Sequence, residues 1–289
     1  MSEWMALFLA VLQGATEFLP ISSSGHLVLA QEVFQVEHGT LTFDILVHVG
    51  TLLSVFIVFW NQLWRLVQYA LRDGWVLMKR EGAKAAWHTN PQGNLILGII
   101  VATIPTGVIG FFGKDYFEKM FSSLESLGWQ FLITGVALAI TLFIKGKPEP
   151  SAMPAADSRI GGIPMEKSAI SLYAAFTIGI MQAVAIVPAI SRSGMTIAAA
   201  LILGLGRRAS FEFSFLISIP AILGALLLEG RNMTSGEAFS PTVGFIGLAA
   251  SALTGWICLI LLRKMVQSGA FGFFCIYCFA IGIWAIFRF

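Results

Sequence analysis

Charge is what this chain has least of. Only 12% of its 289 residues are Asp, Glu, Lys or Arg, about half the roughly 25% of an ordinary globular domain. A soluble fold of this length needs more polar surface than that, which excludes a soluble globular enzyme. Disorder is excluded too, because disordered chains are polar and charged. Neither sign of charge prevails. The 18 basic and 16 acidic residues leave a net +2, which gives no support to a nucleic-acid partner. Cysteine is scarce. Cys258, Cys275 and Cys278 all fall in the last two apolar segments, so neither a disulfide framework nor a cysteine metal site is expected. No Lys or Arg precedes the first apolar run, which argues against a cleaved signal peptide.

What is present is apolar: 57% hydrophobic residues and a mean hydropathy of +0.81. A transmembrane barrel would alternate apolar and polar residues in stretches of about 10. Here the runs are continuous and about 20 residues long, the length a helix needs to cross a bilayer. The composition therefore predicts an all-α polytopic membrane protein.

Six full-length spans are predicted: Phe43–Trp64, Gly93–Gly113, Gly128–Ile144, Phe211–Leu228, Pro241–Leu262 and Phe271–Phe289. Two further stretches are too interrupted to be spans. Trp4–Leu19 stops at Pro20 and is followed by the short Ser/Gly-rich piece Ser22–Phe34; Ser168–Val187 stops at Pro188 and is followed by Ser191–Gly206. Irregular backbone at membrane depth is tolerated only inside protein or beside a wet cavity. Both stretches therefore read as re-entrant hairpins.

The distribution of basic residues supports this layout. With Met1 outside and each hairpin returning to its own side, 13 basic residues lie inside: five in 65–92, four in 145–167, and Arg207, Arg208, Arg263 and Lys264. Outside lie Lys114, Lys119, Arg231 and Arg288, a bias in the direction the positive-inside rule requires. Both termini are then extracytoplasmic. Two full spans in place of each hairpin would leave the loops on the same sides, but the pieces are short and polar.

The two interrupted stretches are also alike. Residues 13–25 read QGATEFLPISSSG and residues 182–194 read QAVAIVPAISRSG. Downstream, Phe43-Asp44 resembles Phe211-Glu212. The chain reads as one membrane domain, 1–289. Repeat one covers about 1–144, a polar linker 145–167, and repeat two about 168–289. Each half is one re-entrant helical hairpin plus three transmembrane helices. Three is odd, so the halves form an inverted-topology repeat, an architecture that builds a polar site near the membrane midplane.

Ionisable groups in a membrane segment are costly and mark functional sites by default. The first hairpin carries Gln13, Glu17, Ser22, Ser23, Ser24, Gly25 and His26; the second carries Ser191, Arg192, Ser193, Gly194 and Thr196. Gln13 and Glu17 share a helix face, as do Arg192 and Thr196. On a helix beginning near residue 22, His26 is within reach of the Ser22 or Ser23 hydroxyl. Ser/Gly-rich turns that open helices present backbone N–H groups to anions, and the Arg fork suits phosphate. His beside Ser can serve as base for a hydroxyl nucleophile, or attack phosphorus itself. A carboxylate can orient the His or hold a divalent cation. These parts suit phosphoryl transfer in a membrane pocket. Bland readings remain: Ser and Thr also pack membrane helices, and Glu17 with Arg192 could form an ion pair between hairpins. Asp44 reads as a boundary residue, His48 as a packing residue, Glu212 as an interface or cavity residue, and His38 and His88 as loop residues.

The stretch Gln13-Gly-Ala-Thr-Glu17-Phe-Leu-Pro-Ile-Ser-Ser-Ser-Gly-His26 resembles the first signature of the bacterial undecaprenyl-diphosphate phosphatase family of the bacitracin-resistance type. Pro188-Ala-Ile-Ser-Arg-Ser-Gly-Met-Thr196 resembles its second signature, and Ser210-Phe-Glu-Phe-Ser-Phe-Leu-Ile-Ser-Ile-Pro220 is also similar. Two departures stand out. Gln13 stands where many members carry Glu, and Ala189 stands where Gly is usual.

The resemblance implies a phosphatase of the bacterial plasma membrane that converts undecaprenyl diphosphate to undecaprenyl phosphate and inorganic phosphate. It works at the outer face and uses a divalent cation, Mg or Ca, on Glu17 and Gln13. Ser23, His26, Glu17 and Arg192 are then the candidate catalytic residues. Ser23 is the expected nucleophile and His26 its base, with His26 as nucleophile the second option. Gln13, Ser22, Ser24, Gly25, Ser191, Ser193, Gly194 and Thr196 line the expected diphosphate site. Besides the polyprenyl diphosphate, the expected partners are membrane lipid and no nucleic acid, with a homodimer left open. The rival class is a polyprenyl-phosphate transporter or flippase that uses the same anion-binding hairpins.

Overall fold

The computed structural model describes residues 1–34, 41–113, 116–117, 120, 124–144, 170–230 and 240–289, all of them helix, turn or connecting backbone without a strand. Its helices are labelled in chain order: α1 Glu3–Phe18, α2 Ser23–Phe34, α3 Leu41–Gln68, α4 Gly74–Glu81, α5 Pro91–Phe112, α6 Leu127–Thr141, α7 Leu172–Val184, α8 Arg192–Ile202, α9 Arg207–Gly230, α10 Pro241–Ser268 and α11 Phe274–Arg288. The linker 145–167 lies outside the described residues, as do His38, Lys114, Lys119 and Arg231.

Among the described residues, six segments are long and apolar enough to cross a membrane: Thr42–Glu81, Pro91–Phe112, Leu124–Thr141, Arg207–Leu228, Pro241–Ser268 and Ala270–Arg288. Each contains or overlaps one of the spans expected from hydropathy. The chain is an all-α polytopic membrane protein, and its large apolar side chains confirm the solvent. Trp60, Ile104, Trp129, Leu253 and Ile276 all stand exposed on the outside of the bundle, where only lipid tails would not penalise them.

Residues 65–92 depart from expectation. They form no simple loop: α3 runs on through a π-helical turn, Tyr69–Asp73, into α4, and a second π turn, Ala85–Thr89, leads to α5. The Tyr69 hydroxyl donates to the Ala86 carbonyl at 2.5 Å, and Tyr69 and Trp75 both set their rings edge-on to Trp87. These aromatic contacts hold the basic segment as folded structure. Hydropathy alone does not see them.

The four remaining helices are short because local chemistry stops them. α1 has 16 residues, α2 12, α7 13 and α8 11. At 1.5 Å per residue the longest of them reaches only about 24 Å, short of a hydrocarbon core of about 30 Å. Leu19, at the end of α1, is extended (φ −61°, ψ 143°), as a residue before proline prefers. Ser22 and Ser191 then open α2 and α8. Each places its hydroxyl to accept the backbone N–H three residues on, Gly25 at 3.4 Å and Gly194 at 3.1 Å, as an N-cap does. Both turns are buried: Pro20, Ile21 and Ser22 in one, Pro188 to Ser191 in the other.

Small residues let the helices close on one another. α10 is wedged between α1 and α3, where Gly14 and Gly50 face the Ser251 region. α7 lies on α5 with Gly179 against Ala102, and α6 lies on α11 with Gly128 against Gly282. Close backbone approach of this kind is how membrane helices gain packing energy. A Cβ on Gly50 would sit 2.1 Å from the Ser251 hydroxyl and 2.5 Å from the Leu248 carbonyl. Gly50→Val should therefore push α3 from α10 and cost at least about 1–3 kcal/mol, seen as a lowered melting temperature in detergent. An unchanged midpoint would contradict the packing described. Under the first turn, Phe18 meets Phe215 at 5.7 Å and Phe215 meets Phe211 at 4.9 Å, joining α1 to α9 through an aromatic floor.

Candidate active site

The two hairpin turns meet inside the bundle, and the contact is close. A Cβ on Gly25 would lie 2.7 Å from that of Ala189 and 2.6 Å from the Phe131 ring. Among the described residues, the non-glycine residues with positive φ are Ser22 (70°) and Ala189 (56°), one in each turn. Such backbone costs of order 1–3 kcal/mol each and persists where surrounding packing dictates it. Here the N-cap role of Ser22 and the full burial of Ala189 against Phe131 and Leu127 supply that packing. Gly25→Ala should accordingly separate the turns and lower the melting temperature in detergent, while the double variant Gly25→Ala/Ala189→Gly, which removes the opposing methyl, should recover part of it. Melting midpoints of the two variants check this. An unchanged midpoint for Gly25→Ala would refute the close approach.

The turns are built alike. In the first, the Ser22 hydroxyl caps Gly25 and lies 3.4 Å from the Ser24 hydroxyl; in the second, Ser191 caps Gly194 and lies 3.3 Å from Ser193. The residue between each pair of serines is thereby turned toward the end of α1. In the first hairpin it is Ser23 and in the second Arg192, and both reach the same carboxylate. The Ser23 hydroxyl donates to Glu17 Oε2 at 2.6 Å, and Arg192 Nη2 pairs with Glu17 Oε1. Gln13 Nε2 donates to Glu17 Oε2 at 3.0 Å from one turn earlier on α1. Glu17 is thus buried but fully engaged, as a charge at this depth requires. The ion pair between hairpins, one of the readings open from the sequence, is present.

His26 sits apart from this cluster. Its Nδ1 lies 2.7 Å from the Ser22 backbone carbonyl and its Nε2 lies 2.6 Å from the hydroxyl of Tyr277 on α11. The expected contact between His26 and a Ser22 or Ser23 hydroxyl is replaced. The ring turns back along α2 to a carbonyl, and Ser23 finds its acceptor on the neighbouring helix instead. Thr196 also departs from expectation. Its hydroxyl donates to the Arg192 carbonyl at 2.8 Å and contacts the Ser214 hydroxyl of α9, so it ties α8 to α9 rather than facing the turn. Thr134 on α6 accepts from the Ser191 backbone N–H at 3.0 Å and so helps hold the second turn.

Tyr277, Thr134 and Ser214 were not singled out as site residues. Ser214 falls within the third similar stretch, and that was its signal. Tyr277 and Thr134 are polar residues within apolar spans, with no local motif around them. Among the other candidates, Glu212 pairs with Arg208 at 2.8 Å, His48 Nδ1 lies 2.8 Å from the Asp44 carbonyl on its own helix, and His88 is exposed.

Among the described residues no three His, Cys, Asp or Glu side chains converge as a cation site. The donor set nonetheless suits one kind of ion. Gln13 Oε1 is buried without a hydrogen-bond partner beside the Glu17 carboxylate. A hard cation bound mainly by substrate phosphates needs only one or two such protein oxygens.

Six membrane-crossing helices around two buried turns, with Ser23 and Arg192 at two helix N-termini and Glu17 at the C-terminal end of α1, define a polytopic membrane protein with a charged, polar centre. The sequence model of a family described as "Bacitracin resistance protein BacA" matches residues 6–284. The undecaprenyl-diphosphatase of Carboxydothermus hydrogenoformans is 36% identical over 287 residues, covering 98% of this chain and 96% of that protein. That of Desulforapulum autotrophicum is 37% identical over 286 residues, covering 99% and 98%, and that of Bacteroides fragilis 35% identical over 288 residues, covering 97% and 96%. The chain belongs to the bacitracin resistance protein BacA family.

Proposed function

We propose that this protein is an undecaprenyl-diphosphate phosphatase: it hydrolyses undecaprenyl diphosphate to undecaprenyl phosphate and inorganic phosphate, which returns the lipid carrier of cell-wall synthesis to use. Its relatives carry the name of that activity over nearly their whole length. The observation that carries the reading in this chain is the hydrogen bond from Ser23 to Glu17, with Arg192 on the same carboxylate. Simple binding of a phosphate needs the Arg and the helix N-termini. It does not need a hydroxyl poised on a base.

The diphosphate enters between the two turns, and its prenyl chain stays among the apolar helices. The N-termini of α2 and α8 offer backbone N–H groups and the positive ends of two helix dipoles. Arg192 has spare donors beyond the one on Glu17, and they grip the terminal phosphate. Ser23 attacks the terminal phosphorus as its proton passes to Glu17 Oε2. The bond to the bridging oxygen breaks and undecaprenyl phosphate leaves. Glu17 passes its proton to the departing undecaprenyl phosphate. Water then attacks the phosphoserine phosphorus as its proton passes to Glu17, the bond between phosphorus and Ser23 Oγ breaks, Glu17 returns the proton to Oγ, and inorganic phosphate leaves. Glu17 thus takes the role first expected of His26, because it is Glu17 that the Ser23 hydroxyl touches. Gln13 Oε1 and Glu17 are the groups that would hold a Mg or Ca ion, which would neutralise charge on the diphosphate.

The two halves are read as inverted repeats. The matching turns support this, as do the α1–α10 and α7–α5 packings, which pair each hairpin with a span of the other half. The excess of basic residues in segments 65–92, 145–167, 207–208 and 263–264 supports a plasma-membrane orientation with both termini outside. The site then serves the outer face.

The test is release of phosphate from undecaprenyl diphosphate by the purified protein in detergent, with and without a chelator. Release is expected, and its loss on chelation supports the cation. Folded protein that binds the lipid without releasing phosphate would shift the reading to a flippase, because transport cannot be scored without a membrane.

A further inference from the structure

His26 is left without a task by the contacts of Ser23, yet it is buried and held from three directions. Its ring lies edge-on to Phe131, with centroids 5.4 Å apart and planes at 86°. On the other side it is stacked on Tyr277 at 5.7 Å and 14°. The hydrogen bonds fix more than orientation. A backbone carbonyl can only accept, so the Ser22 carbonyl at 2.7 Å requires a hydrogen on Nδ1. In neutral imidazole the other nitrogen is then bare. Nε2 is therefore the accepting atom, and the Tyr277 hydroxyl at 2.6 Å donates to it.

We infer that Tyr277 is a positioning residue of this site. It holds His26 in the form with hydrogen on Nδ1 and the lone pair on Nε2, so that Nε2 is the atom through which His26 gives or takes a proton. The inference rests on the phosphatase reading for its consequence, but not for the contact itself. Tyr277 lies 251 residues from His26 and on the last helix. That helix seats on the first turn at a second point, where the Cys278 thiol lies 3.5 Å from the Pro20 carbonyl. Tyr277 is 42% exposed, so the bundle does not depend on its hydroxyl for packing. A purely structural tyrosine here would be replaced by phenylalanine without effect, since the stacked ring would remain.

The experiment uses the full-length protein in detergent, labelled with 15N-histidine, with the His26 signal identified by its loss in His26→Gln. The parent should show a protonated Nδ1 and a hydrogen-bonded, unprotonated Nε2. Tyr277→Phe should shift the Nε2 signal and lower kcat by about tenfold or more, less than the roughly 10²–10⁴-fold of a lost acid–base group because Tyr277 acts only through His26. KM should stay within about twofold, because Tyr277 touches none of the anion-holding groups. Tyr277→Leu, which also removes the stacked ring, should lower kcat further. The inference is overturned by a parent with the hydrogen on Nε2. It is equally overturned by a Tyr277→Phe protein whose His26 signal or kcat matches the parent. A parent that releases no phosphate, while Tyr277→Phe still shifts the His26 signal, would overturn the phosphatase reading and leave the contact standing.

Discussion

Arg192→Ala should lower kcat/KM for undecaprenyl diphosphate by about 10³-fold or more, at the upper end of what a single oxyanion-type donor supplies. Two losses combine. The terminal phosphate loses the planar fork that grips it, and Glu17 loses the cation on its Oε1. The second loss also destabilises the fold. Removing one partner of a buried pair leaves an uncompensated charge, at about 3–5 kcal/mol. The two effects are separable. Glu17→Gln/Arg192→Gln removes both charges and should restore most of the melting temperature without restoring turnover. Arg192→Lys should recover little activity, because a point charge does not replace a bidentate fork. Phosphate release and melting midpoints of the four proteins decide the matter. Arg192→Ala within tenfold of the parent would remove Arg192 from the substrate site.

Ser23→Ala should go further, reducing turnover by about 10⁴-fold or more with the melting temperature nearly unchanged, since a nucleophile's removal is not compensated by binding. Glu17→Gln should cost roughly 10²–10⁴-fold as the loss of a base. Groups that act as a unit do not add, so Ser23→Ala/Glu17→Gln should be no worse than Ser23→Ala alone. Acid quench of the parent during turnover should trap phosphate on Ser23, detectable by mass spectrometry. If Ser23→Ala retains about a tenth of parental activity, the nucleophile is water or His26 and the Ser23–Glu17 hydrogen bond only organises the turn.

Much of this architecture could be read along the chain because the bilayer is a demanding solvent. A helix that crosses it must be apolar for about 20 residues, so Pro91–Phe112 or Pro241–Ser268 appears as an uninterrupted run. The hairpins were legible for the opposite reason. Pro20 follows directly on the end of α1, and Ser22 and Ser191 open α2 and α8, all by chemistry within a few residues. The candidates that meet at Glu17 were legible as well, since charged and hydroxylic residues are conspicuous against so apolar a background. The folded form of 65–92 was not. Its basic residues look like a loop, while Tyr69 and Trp87 close it through contacts 17 and 18 residues apart.

By itself, then, the sequence determined the solvent, the spans, the two interrupted helices and the polar residues buried among them, because each of these depends on near neighbours and on water's absence. Tertiary structure alone decided the pairings. Ser23 could have used His26, three residues away on the same helix, but α1 brings Glu17 closer to its hydroxyl. His26 faces a carbonyl on one side and Tyr277 on the other. Thr196 turns to Ser214. A side chain's partner is set by which helices the packing of Gly14, Gly25, Gly50 and Gly128 brings into contact, and no local pattern encodes that distance.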